Sequence, residues 1–244
     1  MPSDFERLVS ALRRASRVSA LTGAGVSAES GIATFRGAGG LWEGHRIEEV
    51  ATPEAFAEDP ERVWRFYEMR RRNAREARPN AGHEALAALE ERFPGFLLAT
   101  QNVDGLHRRA GSRNLVELHG SIVRRYCVRC RRIEEDLEPL EVLPPVCEAC
   151  GNLMRPDIVW FGEPLPVEAW ADAQEAARAS EVYLVVGTSA EVYPAAGLAL
   201  IAADAGAEVF EINPAATALS PMFSGAIREP SGEALPRILS ALPG

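Results

Sequence analysis

Cys127, Cys130, Cys147 and Cys150 are the only cysteines in the chain, and they form two Cys-x-x-Cys knuckles sixteen residues apart. Two knuckles at that separation can wrap four thiolates around one tetrahedral zinc ion. Four sulfur ligands leave no open position, so a zinc held this way is structural and activates no water. The competing reading is a redox-active Cys-x-x-Cys, although that chemistry needs only one pair. A second candidate is His119, which follows the strand-like Leu115-Val116-Glu117-Leu118 and precedes a glycine. Imidazole titrates near neutrality and can take a proton from a hydroxyl and return it. A lone histidine is also commonly a packed or solvated residue, and His45, His83 and His107 read as structural or surface positions. A third is the turn Gly23-Ala24-Gly25-Val26-Ser27, where glycines between a strand and a helix start let backbone approach a pyrophosphate. It departs from GxGxxG at Ser27 and Ala28, so a plain tight turn stays open as its alternative.

Two further constellations are weaker. Tyr67 and Arg70 lie three apart in a helical stretch and so share a face. A guanidinium fork with a phenol hydroxyl is a receptor for a carboxylate, while the competing reading is a solvated face of an Arg-rich helix. Asp104 reads equally as a cap for a helix at Gly105-Leu106-His107 and as a ligand.

The elements that must position these residues alternate. Apolar runs at Val18 to Leu21, Phe96 to Ala99, Val182 to Val186 and Glu208 to Ile212 each end in small or polar residues. Helical patterns over Gly82 to Phe93 and Val167 to Ala179 fall between them. The alternation predicts an α/β fold, a Rossmann-like doubly wound parallel sheet covered on both faces. Ligands of such sheets sit beyond the carboxyl ends of the strands, where the polar signatures fall. Two segments break the alternation: a Gly-rich loop with helical sequence including Pro60 to Ala77, and the cysteine segment. The expected organisation is therefore a main domain of 1–31, 79–123 and 156–244, with 32–78 and 124–155 forming a smaller helical and zinc-ribbon domain.

Bulk properties narrow the function. The chain has 244 residues, 47% of them hydrophobic, and a net charge of −9. That charge argues against sequence-independent nucleic-acid binding. No apolar run is long enough for a membrane span. The first residues carry acids in an amphipathic helical pattern instead of a signal peptide, so the expected location is cytoplasmic. The expected oligomeric state is a monomer.

Taken together, GAGVSAESGIATFRG from Gly23 to Gly37, Gln101-Asn102-Val103-Asp104, Leu118-His119-Gly120, the two knuckles, Phe161-Gly162-Glu163, Gly187-Thr188-Ser189 and Glu211-Ile212-Asn213 resemble the sirtuins, in the family's order. The resemblance runs from about Leu21 to Leu235. One departure is Ala33, where many members carry proline. The resemblance implies an NAD-consuming protein-lysine deacylase that releases nicotinamide and an acylated ADP-ribose, with NAD as co-substrate and one structural zinc. It implies that Gly23, Ala24, Gly25 and Ser27 hold the pyrophosphate and that Phe35 and Arg36 lie on a loop over the nicotinamide ribose. Gln101, Asn102 and Asp104 would line the ribose and nicotinamide pocket. Gly187, Thr188 and Ser189 would meet phosphate, Asn213 the adenosine end, and Ser231 the adenine. His119 would be the catalytic base.

On the substrate side, Val159-Trp160-Phe161-Gly162-Glu163 resembles the edge with which sirtuins pair an extended acyl-lysine peptide. Val159, Phe161 and Val192 would line the lysine tunnel. Tyr67 and Arg70, with the small Ala51, resemble the sirtuin 5-like class that removes succinyl and malonyl groups. A plain deacetylase and a mono-ADP-ribosyltransferase are the alternatives.

Overall fold

The computed structural model describes residues 2–34, 41–42 and 44–243, with Leu41 and Trp42 described in their backbone alone. Phe35 and Arg36 therefore lie outside the described residues. The strands are β1 (Val18–Thr22), β2 (Leu41–Trp42), β3 (His45–Arg46), β4 (Leu97–Thr100), β5 (Leu115–Glu117), β6 (Gly120–Cys127), β7 (Ile133–Glu135), β8 (Met154–Ile158), β9 (Val182–Val186), β10 (Glu208–Ile212) and β11 (Gly225–Ile227). The α-helices are α1 (Asp4–Arg14), α2 (Gly25–Ala28), α3 (Ile47–Val50), α4 (Pro53–Glu58), α5 (Pro60–Glu76), α6 (Ala81–Arg92), α7 (Leu106–Arg109), α8 (Val167–Ala179), α9 (Gly197–Asp204) and α10 (Ser231–Ala241).

Six strands form one parallel sheet in the order β11-β10-β9-β1-β4-β5. All five residues of β1 and of β9 are buried, as strands covered on both faces require. One apolar layer packs Leu8 and Leu12 of α1, Leu86 and Leu89 of α6, and Leu235 and Ile238 of α10 against the sheet. Another packs Ala173 and Ala177 of α8 with Leu198 and Ala202 of α9. The order reverses at β1, whose successors β4 and β5 lie on one side and β9, β10 and β11 on the other. The crevice at such a switch point, beyond the carboxyl ends, is where α/β sheets take ligands.

A separate apolar cluster joins Val50, Phe56, Trp64 and Tyr67 to Ile122, Cys127, Cys147, Met154 and Trp160. Its backbone frame is the antiparallel sheet β7-β6-β8. Helix α5 starts where the Asp59 carboxylate accepts the Arg62 N–H at 2.9 Å with Pro60 in the first turn. It ends just before Arg78, whose helical conformation Pro79 disfavours. The indole N–H of buried Trp64 donates to the Met154 carbonyl at 2.8 Å, tying α5 to β8. Among the described residues, no helix is long and apolar enough to cross a membrane.

Candidate active site

The turn after β1 and the turn after β9 meet at the switch point in close backbone contact. A methyl group at Gly23 would stand 2.7 Å from the Thr188 Cβ, and one at Gly25 would stand 2.7 Å from the Gly187 carbonyl oxygen. Gly187 adopts φ of +59°, and a methyl there would fall 2.5 Å from the Val26 nitrogen. Only glycine allows this approach, which the Gly25 N–H bond to the Gly187 carbonyl, 2.7 Å, then holds. Thr188 is bound from two sides: Gln101 donates to its hydroxyl at 3.0 Å, and Asn213 donates to its carbonyl at 2.9 Å. Ala24 is half-buried between the two glycines, and Ser189 is exposed.

Below the turn lies a closed polar network. Ser27 donates to Asp104 Oδ2 at 2.7 Å and accepts from Asn102 at 3.2 Å, while Asn102 also donates to the Gly23 carbonyl at 3.0 Å. The other Asp104 oxygen accepts the Leu106 N–H at 2.9 Å, so Asp104 serves the α7 start and Ser27 together. His83 Nδ1 accepts the Asn80 N–H at 3.3 Å, which leaves the ring proton on Nε2, 3.4 Å from the Ser27 hydroxyl. Its ring lies 4.8 Å from that of His107, whose Nε2 is 3.0 Å from the Thr22 hydroxyl. Burial lowers the pKa of both rings, that of His107 to about 3. Both histidines are therefore neutral beneath the site.

His119 sits where β5 ends and β6 begins. Gly120 follows at φ of +79°, and a methyl there would clash with the Asp157 carbonyl. This glycine lets the chain reverse tightly behind the histidine. His119 Nδ1 lies 3.1 Å from the Gln101 carbonyl, which can only accept. The neutral ring therefore carries its proton on Nδ1 and a lone pair on Nε2. Burial lowers its pKa, with the Gln101 carbonyl opposing.

Strand β8, paired antiparallel with β6 so that Ile158 lies opposite Gly120, leads into the expected substrate edge. The Val159 N–H donates to the His119 carbonyl at 3.0 Å, and the Phe161 N–H to the Ala51 carbonyl at 3.0 Å. Val159 and Val192 are half-buried and Phe161 is exposed. Glu163 accepts the Trp160 N–H at 2.9 Å and is held by Arg155 through bonds of 2.8 and 2.9 Å. Behind this edge, the Trp160 indole donates to the Tyr67 hydroxyl at 2.9 Å. Tyr67 is fully buried, which pushes its pKa up to about 12. Arg70 lines a small cavity with Ile32, Asn73, Val103, Asp104 and Ile122.

The four cysteine sulfurs lie within 4.8 Å of one another, with Cys127 to Cys150 at 3.4 Å and Cys130 to Cys147 at 3.6 Å. A tetrahedron with zinc–sulfur bonds of about 2.3 Å requires sulfurs about 3.8 Å apart. The cluster fits one structural zinc.

The Sir2 family model matches residues 23–194. The chain belongs to the Sir2 family. It is 56% identical over 218 residues to the NAD-dependent protein deacylase 2 of Pyrobaculum aerophilum, covering 89% of this chain and 88% of that one. The solved structure of a mutant Sir2 homologue with ADP-ribose superposes with a TM-score of 0.92 at 44% identity, covering 97% of this chain and 95% of the other. A Sir2 homologue–NAD complex gives a TM-score of 0.90 at 44% identity, with 98% and 95% covered.

In this Sir2 chain, the glycine turn, Gln101, Asn102, Asp104, Thr188 and Asn213 come together as one surface. Ser231 does not join it directly. It opens α10, where its hydroxyl meets Glu29 at 3.3 Å, so it reaches the glycine turn through α2. The sequence reading missed Thr22, Asn80, His83 and His107, which form the floor of the site. The one local signal was Asn80 three residues before His83, the spacing of a helix cap. It also missed Arg155 as the partner of Glu163.

Proposed function

We propose that this Sir2 chain is an NAD-dependent protein-lysine deacylase that favours acidic acyl groups such as succinyl and malonyl while retaining deacetylase activity. NAD supplies an electrophilic ribose carbon: the acyl oxygen attacks it, nicotinamide leaves, and water then releases the free lysine and leaves the acyl group on ADP-ribose. The glycine turn, Thr188 and Ser189 bind the phosphates, with Asn213 and Ser231 toward the adenosine. Gln101, Asn102 and Asp104 line the ribose and nicotinamide pocket, to which Phe35 and Arg36 contribute. His119, with Nδ1–H fixed on Gln101, offers Nε2 to a ribose hydroxyl and takes its proton. Val159, Phe161 and Val192 enclose the lysine stem.

The acyl preference is carried by one observation. The Tyr67 hydroxyl is bound to Trp160, next to Phe161, while Arg70 on the same helix faces a cavity shared with Asp104. Tyr67 behind the expected substrate edge and Arg70 at a cavity beside Asp104 support a carboxylate receptor for the acyl chain. The small Ala51, buried against this wall, leaves room for a longer chain. The expected domain division, a cytoplasmic location and a monomeric state complete the reading, with acylated proteins as substrates and no nucleic-acid partner.

The test is nicotinamide release with matched succinyl-lysine and acetyl-lysine peptides. Arg70→Met should abolish most succinyl turnover and spare acetyl turnover, and His119→Ala should abolish both. A parent that prefers acetyl and is unaffected by Arg70→Met would be a plain deacetylase, with Arg70 on a solvated helix face.

A further inference from the structure

We infer that Arg71 is a positioning residue for acyl selectivity, locking α5 so that Arg70 faces the acyl chain; this rests on the acidic-acyl reading above. Arg71 is 1% exposed, among the most deeply buried large side chains of the molecule. Its guanidinium donates from Nε to Glu68 at 3.0 Å and from Nη1 to the Ile122 carbonyl at 2.9 Å. Nη2 donates to Asp136 and to the Glu138 carbonyl, both at 3.1 Å. One side chain thereby joins α5 to β6 and to the segment following β7. Asp136 is fixed in turn by Arg125 at 3.1 Å and through its own N–H to the Val123 carbonyl at 3.0 Å. Burial alone would raise the Asp136 pKa, but Arg125 and Arg71 outweigh it and keep the carboxylate ionised.

Three relations connect this anchor to selectivity. Tyr67 and Arg71 are four residues apart and share the buried face of α5. Arg70 is the adjacent residue, about 100° around the helix axis, so whatever fixes the rotation of α5 fixes the direction of Arg70. The Ile122 whose carbonyl Arg71 holds gives its own N–H to the Val103 carbonyl at 2.8 Å. Val103 and Ile122 line the small cavity with Arg70 and Asp104. The path Arg71–Ile122–Val103 therefore sets the spacing between the helix bearing the carboxylate receptor and the strand end bearing the cofactor residues. A buried arginine is a poor device for stability, because a well-packed apolar side chain of similar volume serves as well or better. Four directional bonds from one rigid fork instead specify an orientation.

The experiment is a double-mutant cycle on kcat/KM with succinyl and acetyl peptides, using the parent, Arg71→Met, Arg71→Lys, Arg70→Met, Arg70→Met/Arg71→Met and Arg70→Met/Arg71→Lys. Arg71→Met should lower succinyl kcat/KM about tenfold more than acetyl, chiefly through the succinyl-peptide KM, and this selective loss should vanish in the Arg70→Met background. Arg71→Lys, which keeps the charge but not the fork, should fall between parent and Met. It carries the test alone if Arg71→Met does not fold, with the same loss of selectivity expected only when Arg70 is present. Equal losses on both peptides, or a selective loss that persists without Arg70, would overturn the inference. If Arg70→Met itself leaves the succinyl-to-acetyl ratio unchanged, the acidic-acyl reading fails first, and Arg71 has no receptor to position.

Discussion

Mild acid should destabilise this protein through His107 well before its carboxylates titrate. The ring is buried and lies tilted 4.8 Å from that of His83, and its Nδ1 has no hydrogen-bond partner among the described residues, so a second ring proton would be stranded. Burial, with the neighbouring His83 adding to it, lowers its pKa to about 3. In the unfolded chain the same imidazole titrates near about 6.5. Between these values the unfolded state binds a proton that the folded state does not, so stability present above about pH 6.5 is lost as pH falls. The loss is about 1.4 kcal/mol per pH unit, or about 2 kcal/mol by pH 5. For a chain of this size that corresponds to a fall in Tm of roughly 4–8 °C. His83, also held below its ordinary value by burial, adds to the loss in the same direction. The assay is a pair of thermal or urea unfolding curves at about pH 7.5 and about pH 5, on the parent and on His107→Gln. The glutamine amide can still reach Thr22 but cannot titrate, so its stability should depend less on pH by close to one proton. An equally steep loss in His107→Gln would refute the reasoning and place the titrating group elsewhere.

Two further outcomes follow from the same geometry. Because burial lowers the pKa of His119, the acid limb of kcat/KM against pH should fall below about 6.5; initial rates of nicotinamide release across pH check this, and a limb above that value would remove His119 as the base. Stripping zinc with a chelator should loosen the cluster in which Cys127 and Cys147 pack with Trp64 and Trp160, red-shifting tryptophan fluorescence, with recovery on adding one equivalent of zinc. Unchanged fluorescence in fully metal-free protein would show that the knuckles do not hold this cluster together.

The central sheet was legible because β9 is apolar throughout, while β1 and β10 carry short apolar stretches that end in small or polar residues. β6 and β8 were not, for a physical reason. In β6 the adjacent Arg124 and Arg125 break any two-residue period, and in β8 the alternation of Met154, Pro156 and Ile158 with Arg155 and Asp157 runs through a proline, which argues against a strand; ion pairs such as Arg124–Asp157 at 2.7 Å and Arg125–Glu134 at 2.9 Å span their sheet. β11 has three residues, one of them glycine, too few to show a pattern. The site divides in the same way. Its glycines, His119 and cysteines are visible because their chemistry depends on local spacing. His83 and His107 are ordinary in their own segments. They become part of the site only because the parallel order brings β1, β4, α6 and α7 together, placing Ser27 against His83 and Thr22 against His107. Local spacing therefore encodes the groups that meet the ligand, while the topology supplies the neutral, buried floor that holds them in place.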